Sequence, residues 1–400
     1  MRDVVIVEAC RTAVGTIGGT LKDIGPEELA RTVIQGIIDR SGIAPNEIGE
    51  VIMGHCRQSS DNPNIARIAA LRCGIPDTVP AYTVMRQCAS AMTAVLNGVM
   101  SIQCGENDVV LAGGTESMST APFYMRGARF GLGTGNTQLL DSLVEGQFQS
   151  QPQETYGIFN MGMTAENVAV DLNISREDQD KFALQSQNRA IAAIAEGKFK
   201  DEIVPVIIPQ RKGDPIVFDT DEFPRATTLE KLGKLKPAFA KDGTVTAGSS
   251  SGRNDGASAM LIMSAEKAAA LGLKPLAKFV SHATTGLNPK VMGLGPVEAT
   301  KKALNRANMK LDDIELIEFN EAFAAQAIGC IRELGLENKG DIINVNGGAI
   351  ALGHPVGSSG CRIMVTLLHE MLKRGNKYGL ASLCIAGGMG QAVILETLDM

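Results

Sequence analysis

Chemistry in this 400-residue chain is signalled first by a cysteine at a change of element. Cys88 stands in Arg86-Gln87-Cys88-Ala89-Ser90-Ala91, where an extended segment, Ala81 to Met85, gives way to a helix of small residues. A thiol at a helix N-terminus meets unpaired amides and a partial positive charge, which favour the thiolate and make it a nucleophile. His354 lies in a run with glycines at 347, 348, 353, 357 and 360. Such turns bring backbone close to a ligand, and a histidine within them is suited to act as acid, base or oxyanion donor. Cys384 falls at a strand end before Gly387, Gly388 and Gly390, and Asn320 opens Asn320-Glu321-Ala322-Phe323-Ala324 at a strand-to-helix turn. Each residue also has a plainer role open to it: a buried Cys packs as a small hydrophobe, glycines cap strands and helices, and an Asn before a helix caps it. His55, His282 and His369 carry weaker signals.

These candidates sit on an α/β pattern. Apolar runs of four to six residues alternate with amphipathic stretches, the alternation of buried strands and helices. Strands are expected at 4–8, 50–54, 109–112, 259–263, 316–318, 342–345, 381–385 and 392–395. Helices are expected at 26–41, 64–73, 90–104, 164–171, 176–196, 296–307, 322–334 and 358–373, with Ser175 capping the fifth. The two halves repeat. Gly25-Pro26-Glu27-Glu28 and Gly295-Pro296-Val297-Glu298 open matching helices, and the helices from Ser90 and Ser358 end at Gly105 and Gly375 before Val109 to Gly114 and Leu383 to Gly388. His55 is the counterpart of Asn320. Residues 121–243, richer in Gln, Gly and Met, have no counterpart and form an insertion that covers a site. The expected division is 1–120 with 244–267 as one half, 121–243 as the insertion, and 268–400 as the other half.

Composition narrows the function classes. A net charge of −6, from 38 Lys and Arg against 44 Asp and Glu, with no basic block, gives no footprint for nucleic acid or an anionic membrane. No apolar run reaches the roughly 18 residues of a membrane span. Eight cysteines with no Cys-x-x-Cys spacing suggest reduced thiols in a cytoplasmic protein and no metal cluster. With 44 Gly and no Trp, the chain favours close backbone approach over aromatic anchoring.

Taken in order, the Cys88 turn, Met161-Gly162-Met163-Thr164-Ala165-Glu166-Asn167, Lys236-Pro237-Ala238-Phe239, Thr244 to Gly252, Asn254-Asp255-Gly256-Ala257, Asn320 to Ala324, Gly347 to Gly360 and Cys384 to Gly390 resemble the thiolase family from Val4 to Leu395. The resemblance implies a duplicated five-layer αβαβα fold with an inserted loop domain. It implies ping-pong acyl transfer through a Cys88 thioester, condensing two acetyl-CoA or cleaving a 3-ketoacyl-CoA. His354 would activate Cys88 and donate to the thioester oxygen, Asn320 would hold an oxyanion water, Cys384 would move the α-proton, and the amides of Cys88 and Ala386 would form a second oxyanion site. CoA would lie along Ser251, Ala247, Phe239, Met161, Ala322 and Phe323, with Arg225 near a phosphate. No cofactor or metal is implied, since CoA thioesters are the substrates, and a homotetramer or homodimer is expected. Ala91 and Ala386 stand where the family commonly has glycine and are expected to narrow the acyl cavity; Asn160 replaces a His near the pantetheine. Three alternatives stay open: a ketoacyl-synthase-like condensing enzyme, a non-catalytic acyl-CoA binder, and a dinucleotide enzyme built on Gly131-Leu132-Gly133-Thr134-Gly135.

Overall fold

The apolar runs form strands, most of them buried on both faces. In the computed structural model, which describes residues 2–398, the first half contributes β1 (Val4–Arg11), β2 (Glu50–Gly54), β3 (Ala81–Val84), β4 (Val109–Ser117) and β5 (Asn254–Ser264). The second contributes β6 (Ala277–Gly286), β7 (Leu316–Phe319), β8 (Tyr378–Ile385) and β9 (Met389–Thr397). The order is β3-β2-β4-β5-β1 and then β6-β9-β8-β7. From the join outward, each half runs through two antiparallel pairings and then into parallel ones. That shared sequence of senses is the repeat seen in the residues. The halves are linked by a short β1–β6 pairing, Val5 with Lys278 and Ile6 with Ala277.

Among the described residues, eight helices of at least eight residues accompany these strands: α1 (Pro26–Ser41), α2 (Ile65–Arg72), α3 (Ser90–Cys104), α4 (Met161–Asp171), α5 (Arg176–Ala195), α6 (Gly295–Ala307), α7 (Ala324–Glu333) and α8 (Ser359–Arg374). Strand alternation sends neighbouring residues to different layers. Leu111 and Leu261 face α1 and α2, whereas Val110 and Ile262 face α3 and α8. In the second half Leu383 and Val393 face α3 and α8, and Leu380 and Ile394 face α6. The result is five layers, αβαβα, with α3 and α8 as the shared centre. These two helices abut at their first turns, so closely that a methyl on Gly360 would stand 2.7 Å from the Met92 amide nitrogen.

The strands run longer than their apolar cores. β4 continues through Gly113 to Ser117 and β5 begins at Asn254, because polar residues there find buried partners: Glu116 accepts backbone amides and Ser117 Oγ donates to the Ile24 carbonyl. β6 was hidden from an apolar count because its Ser, His and Thr residues lie on a strand only partly buried. The strand expected at 342–345 does not form. Asn344 has φ +45°, and only Ile343 bridges to Ile317. The Asn344 side chain takes over the pairing, accepting from the Phe319 amide at 2.8 Å and donating to its carbonyl at 3.0 Å. Ser175 caps α5 as expected, receiving the Asp178 amide at 3.0 Å. Gly131 to Gly135 lies in an exposed loop without a strand before it or a helix after it, which removes the basis for a dinucleotide fingerprint. No helix among the described residues is long and apolar enough to cross a membrane.

Candidate active site

The turn before α3 is wound tightly enough to force Gln87 to φ +46°, a conformation that non-glycine residues seldom adopt. The Gln87 carbonyl closes it, accepting from Ser90 Oγ at 2.7 Å, the Ser90 amide at 3.0 Å and Cys56 Sγ at 3.1 Å. Cys88 is thereby held half-buried, with the backbone amides of Ala386 and of Cys88 itself directed at its sulfur. Burial pushes the thiol above its ordinary value, and the two amides offset only part of that rise. Burial thus opposes the thiolate that a helix terminus would favour.

His354 follows Gly353, whose φ of +97° and tight approach to the Asn254 side chain admit only glycine. Asn254 Oδ1 receives the His354 amide at 2.9 Å and its Nδ2 donates to the Gly15 carbonyl. Ser359 Oγ donates to the Pro355 carbonyl at 2.9 Å, so in its 2.7 Å contact with His354 Nδ1 it must accept. This fixes the tautomer: Nδ1 carries the proton, and Nε2 presents a lone pair with no protein partner. Burial first, and then the Arg362 charge, hold the imidazole down at about 4, against the pull of Glu116. Burial therefore pushes both partners, the Cys88 thiol and the His354 imidazole, toward their neutral forms.

Glu116 joins the two halves here. It accepts the Cys56, Arg57 and Gly357 amides at 3.1, 3.1 and 2.9 Å and lies 3.3 Å from His55 Nε2. Burial works against its charge, but His55 and Arg57 outweigh it and hold the carboxyl below the usual range. Neither Glu116 nor Ser359 was singled out from sequence. The spacing of Ser359, one turn beyond a histidine and at the start of a helix, was the signal available for it.

Cys88, His354 and Ala386 open onto one cleft of about 270 Å³, which is also lined by Met161, Phe239, Ser251, Ala322 and Phe323. Phe239 meets Phe323 edge to face, with ring centroids 5.8 Å apart. Met118, Leu143, Phe148 and Met292 complete much of the apolar wall and were missed, since an apolar residue in a loop has no local mark of its function. Cys384 does not line the cleft. It is fully buried in the cluster that includes Ala322, Phe323 and Met292, two residues before the cleft residue Ala386 and close enough to Cys88 to feel its charge; burial and that charge push its thiol well up. Asn320 is fully buried, and both of its amide atoms lack protein partners.

Two residues expected at the CoA path lie elsewhere than the cleft. Ala247 is exposed outside it, and Arg225 is exposed with its guanidinium 5.3 Å from the Phe223 ring. Ala91 does not narrow the cavity: it packs against Gly54 and Gly114, with its Cβ 2.6 Å from where a Gly114 methyl would stand. Ala386 lines the cleft without entering the left-handed region; Gly387 and Gly388 make that turn at φ +91° and +83°. Asn160 lines the cleft and caps α4, accepting the Met163 amide at 3.0 Å.

The Met161 to Asn167 motif has a further use. Glu166 accepts the amides of Thr244 and Val245, each at 2.9 Å at closest, and so anchors the start of the segment that reaches Ser251. Glu166→Gln is expected to lower stability by about 1.5–3 kcal/mol, the range for hydrogen bonds to a charged group. It should raise KM for the acyl-CoA more than it lowers kcat. Urea denaturation and steady-state kinetics check the two effects.

A nucleophilic thiol, an imidazole of fixed tautomer and an amide-lined pocket on a duplicated αβαβα core define an enzyme of the acyl-transferring kind. Residues 4–266 match the thiolase N-terminal domain and residues 273–397 the thiolase C-terminal domain. The acetyl-CoA acetyltransferase of Chromobacterium violaceum is 52% identical over 395 residues, 98% of this chain and 99% of that protein. A probable acetyl-CoA acyltransferase of Staphylococcus epidermidis is 48% identical over 401 residues, 100% of both. Among solved structures, the Bacillus anthracis acetyl-CoA acetyltransferase superposes with a TM-score of 0.96 at 46% identity, and human mitochondrial 3-ketoacyl-CoA thiolase with 0.94 at 44%; each alignment covers 100% of this chain and 99% of the other. The chain belongs to the thiolase family and is an acyltransferase.

Proposed function

We propose that the protein transfers acetyl groups between CoA thioesters, joining two acetyl-CoA into acetoacetyl-CoA and running the thiolytic reverse. The observation that carries this is the convergence of the Cys88 thiol, the Ala386 amide and the free Nε2 of His354 on one cleft. His354 Nε2 takes the Cys88 proton as sulfur attacks the thioester carbonyl; the C–S bond to CoA breaks, and the proton passes to the departing CoA sulfur. While protonated, Nε2 donates toward the thioester oxygen beside a water held by Asn320, whose two unpartnered amide atoms suit that task. The acyl oxygen on Cys88 lies against the amides of Cys88 and Ala386. Cys384 then removes the α-proton of the second acetyl-CoA, and the carbanion attacks the Cys88 thioester; the C–S bond to Cys88 breaks, acetoacetyl-CoA is released, and the Cys88 sulfur takes up the proton held by Cys384.

The substrate choice is supported by the bacterial relatives, which are acetyl-CoA acetyltransferases, and by the bulk of Phe148, Met161, Phe239 and Met292 in the cleft wall. The inserted segment 121–243 acts as the cover, with the halves divided as the sequence suggested; Met161 and Phe239 on the wall support that division. Ala247 and Arg225 serve the outer length of CoA, beyond the cleft. A homotetramer or homodimer is supported by exposed Phe123, Phe130, Leu132 and Leu139 on that segment, and a cytoplasmic setting by eight free thiols. Thiolysis of acetoacetyl-CoA is expected to exceed that of 3-ketooctanoyl-CoA at least ~10-fold in kcat/KM, about what a methylene-counting pocket achieves. A preference for the longer substrate would overturn the acetyl assignment, and no CoA-dependent cleavage of either would overturn the activity.

A further inference from the structure

The cleft carries a cation that acetyl chemistry leaves idle. Arg57, just past the end of β2, lines it together with Cys88 and His354. Its Nε is buried without a partner, and among the described residues the guanidinium forms no ion pair. The carboxylates around it are engaged elsewhere. Glu116 accepts three backbone amides, that of Arg57 among them, and faces His55; Glu27 takes Asn62 and Arg72; Asp61 takes Ser59. A charge held partly out of water without a counter-ion costs free energy, and in a cleft an anionic group of the substrate offsets that cost.

The surroundings of Arg57 say which part of the substrate this is. Its guanidinium lies against Gly146, where a methyl would stand 2.3 Å from Nη1 and 2.7 Å from Cζ. Ser150 Oγ donates to the Gly146 carbonyl at 2.7 Å and receives Gln87 Nε2 at 3.4 Å. Cys56, the residue before Arg57, donates its Sγ to the Gln87 carbonyl at 3.1 Å. Both routes lead from Arg57 to Gln87, the neighbour of the nucleophile, and the Gln87 and Gln147 side chains add amide groups to the cleft lining. The proposed CoA path runs instead along Ser251 and Phe239, and it has its own cation in Arg253, which is exposed and also lines the cleft. The Arg57 charge reaches Cys88 as well, where it works against the rise that burial imposes on the thiol.

We propose that Arg57 is a specificity residue that binds a carboxylate at the far end of the acyl chain carried by Cys88, so that the protein also cleaves 3-ketoacyl-CoA thioesters of dicarboxylic acids. This goes beyond the acetyl reading but rests on Cys88 as its nucleophile. Cys88 gives its proton to Cys384 as sulfur attacks C3; the C2–C3 bond breaks, and Cys384 returns the proton to C2 of the departing acetyl-CoA. The carboxyacyl group left on Cys88 then passes to a second CoA. The CoA thiol gives its proton to His354 Nε2, its sulfur forms the new C–S bond, the C–S bond to Cys88 breaks, and the proton moves to Cys88.

The test is thiolysis by the full chain of acetoacetyl-CoA, 3-ketohexanoyl-CoA and 3-ketoadipyl-CoA, the last two alike in length and different in the terminal carboxylate. Wild type should cleave 3-ketoadipyl-CoA with a kcat/KM at least ~10-fold above that for 3-ketohexanoyl-CoA, because a site built to pair a polar group rejects the analogue that lacks it. Arg57→Met should lower the value for 3-ketoadipyl-CoA on the order of 10²-fold more than that for acetoacetyl-CoA, the loss expected for a charge-assisted pair. Arg57→Lys should fall only about tenfold on 3-ketoadipyl-CoA, since it keeps the charge and loses the two-pronged geometry. Equal losses on all three substrates in Arg57→Met would assign Arg57 to a CoA phosphate or to the charge of Glu116 and overturn the proposal. Should that variant not fold, the wild-type comparison decides, and a ratio of one or below overturns it. If wild type cleaves none of the three with CoA, the reading of Cys88 falls too.

Discussion

Cys88→Ala is expected to form no acyl adduct when exposed to acetyl-CoA, with condensation and thiolysis both falling by at least about 10³-fold, the consequence of deleting a nucleophile. The fold should survive, because Cys88 is only half-buried at the edge of the central core and alanine keeps the backbone amide that forms half of the second oxyanion site. The change therefore separates chemistry from binding: CoA affinity by calorimetry should stay within about threefold of wild type. Cys88→Ser is the sharper companion. The hydroxyl is far less acidic than the thiol, and His354, already held near 4, is a weak base for it. Intact mass after acetyl-CoA treatment settles the matter, and an adduct on the Cys88→Ala chain equal to that on wild type would remove Cys88 from the mechanism.

Cys384→Ala should give the opposite split. The Cys88 adduct forms at a rate within about threefold of wild type, while condensation drops by about 10²–10⁴-fold, the span attributed to a positioned acid or base. Burial raises the Cys384 thiol, and the adjacent Cys88 raises it further. Once Cys88 is acylated it can no longer carry negative charge, so that second contribution disappears when the base is needed. Losing a buried sulfur from a packed cluster costs about 1 kcal/mol in stability, small enough to leave the acylation assay interpretable. The checking measurement is hydrogen–deuterium exchange at the acetyl methyl of acetyl-CoA, which should vanish in Cys384→Ala. Persistent exchange would assign the α-proton to another group.

Much of this site was legible because it is built from backbone geometry, and backbone geometry leaves residues of fixed type behind. Gly353, Gly387 and Gly388 sit at positive φ beside the reacting groups, and their spacing marks His354 and Cys384 in the sequence. The duplication was visible for the same reason, since Gly105 and Gly375 end equivalent helices in the left-handed conformation. What sequence obscured was anything decided by long-range partners. The Asn344 side chain substitutes for a strand, Glu116 extends one by accepting amides from two distant loops, and the apolar cleft wall is assembled from six separate segments. The protonation states also depended on the third dimension. A thiol before a helix looks activated in one dimension, but enclosure around Cys88 outweighs the amides that face it.

The meeting of α3 and α8 at Met92 and Gly360 gives the duplication an electrostatic meaning. Each helix presents roughly half a positive elementary charge at its start, and the repeat superimposes two such starts at one place, beside Cys88 in one half and beside Ser359 and His354 in the other. A tetrahedral oxyanion or a departing CoA thiolate therefore develops in a field made of peptide dipoles that no change of pH can titrate. Two copies of an ordinary α/β unit, brought face to face, supply a standing anion environment, and the side chains are left with the narrower task of moving protons through it.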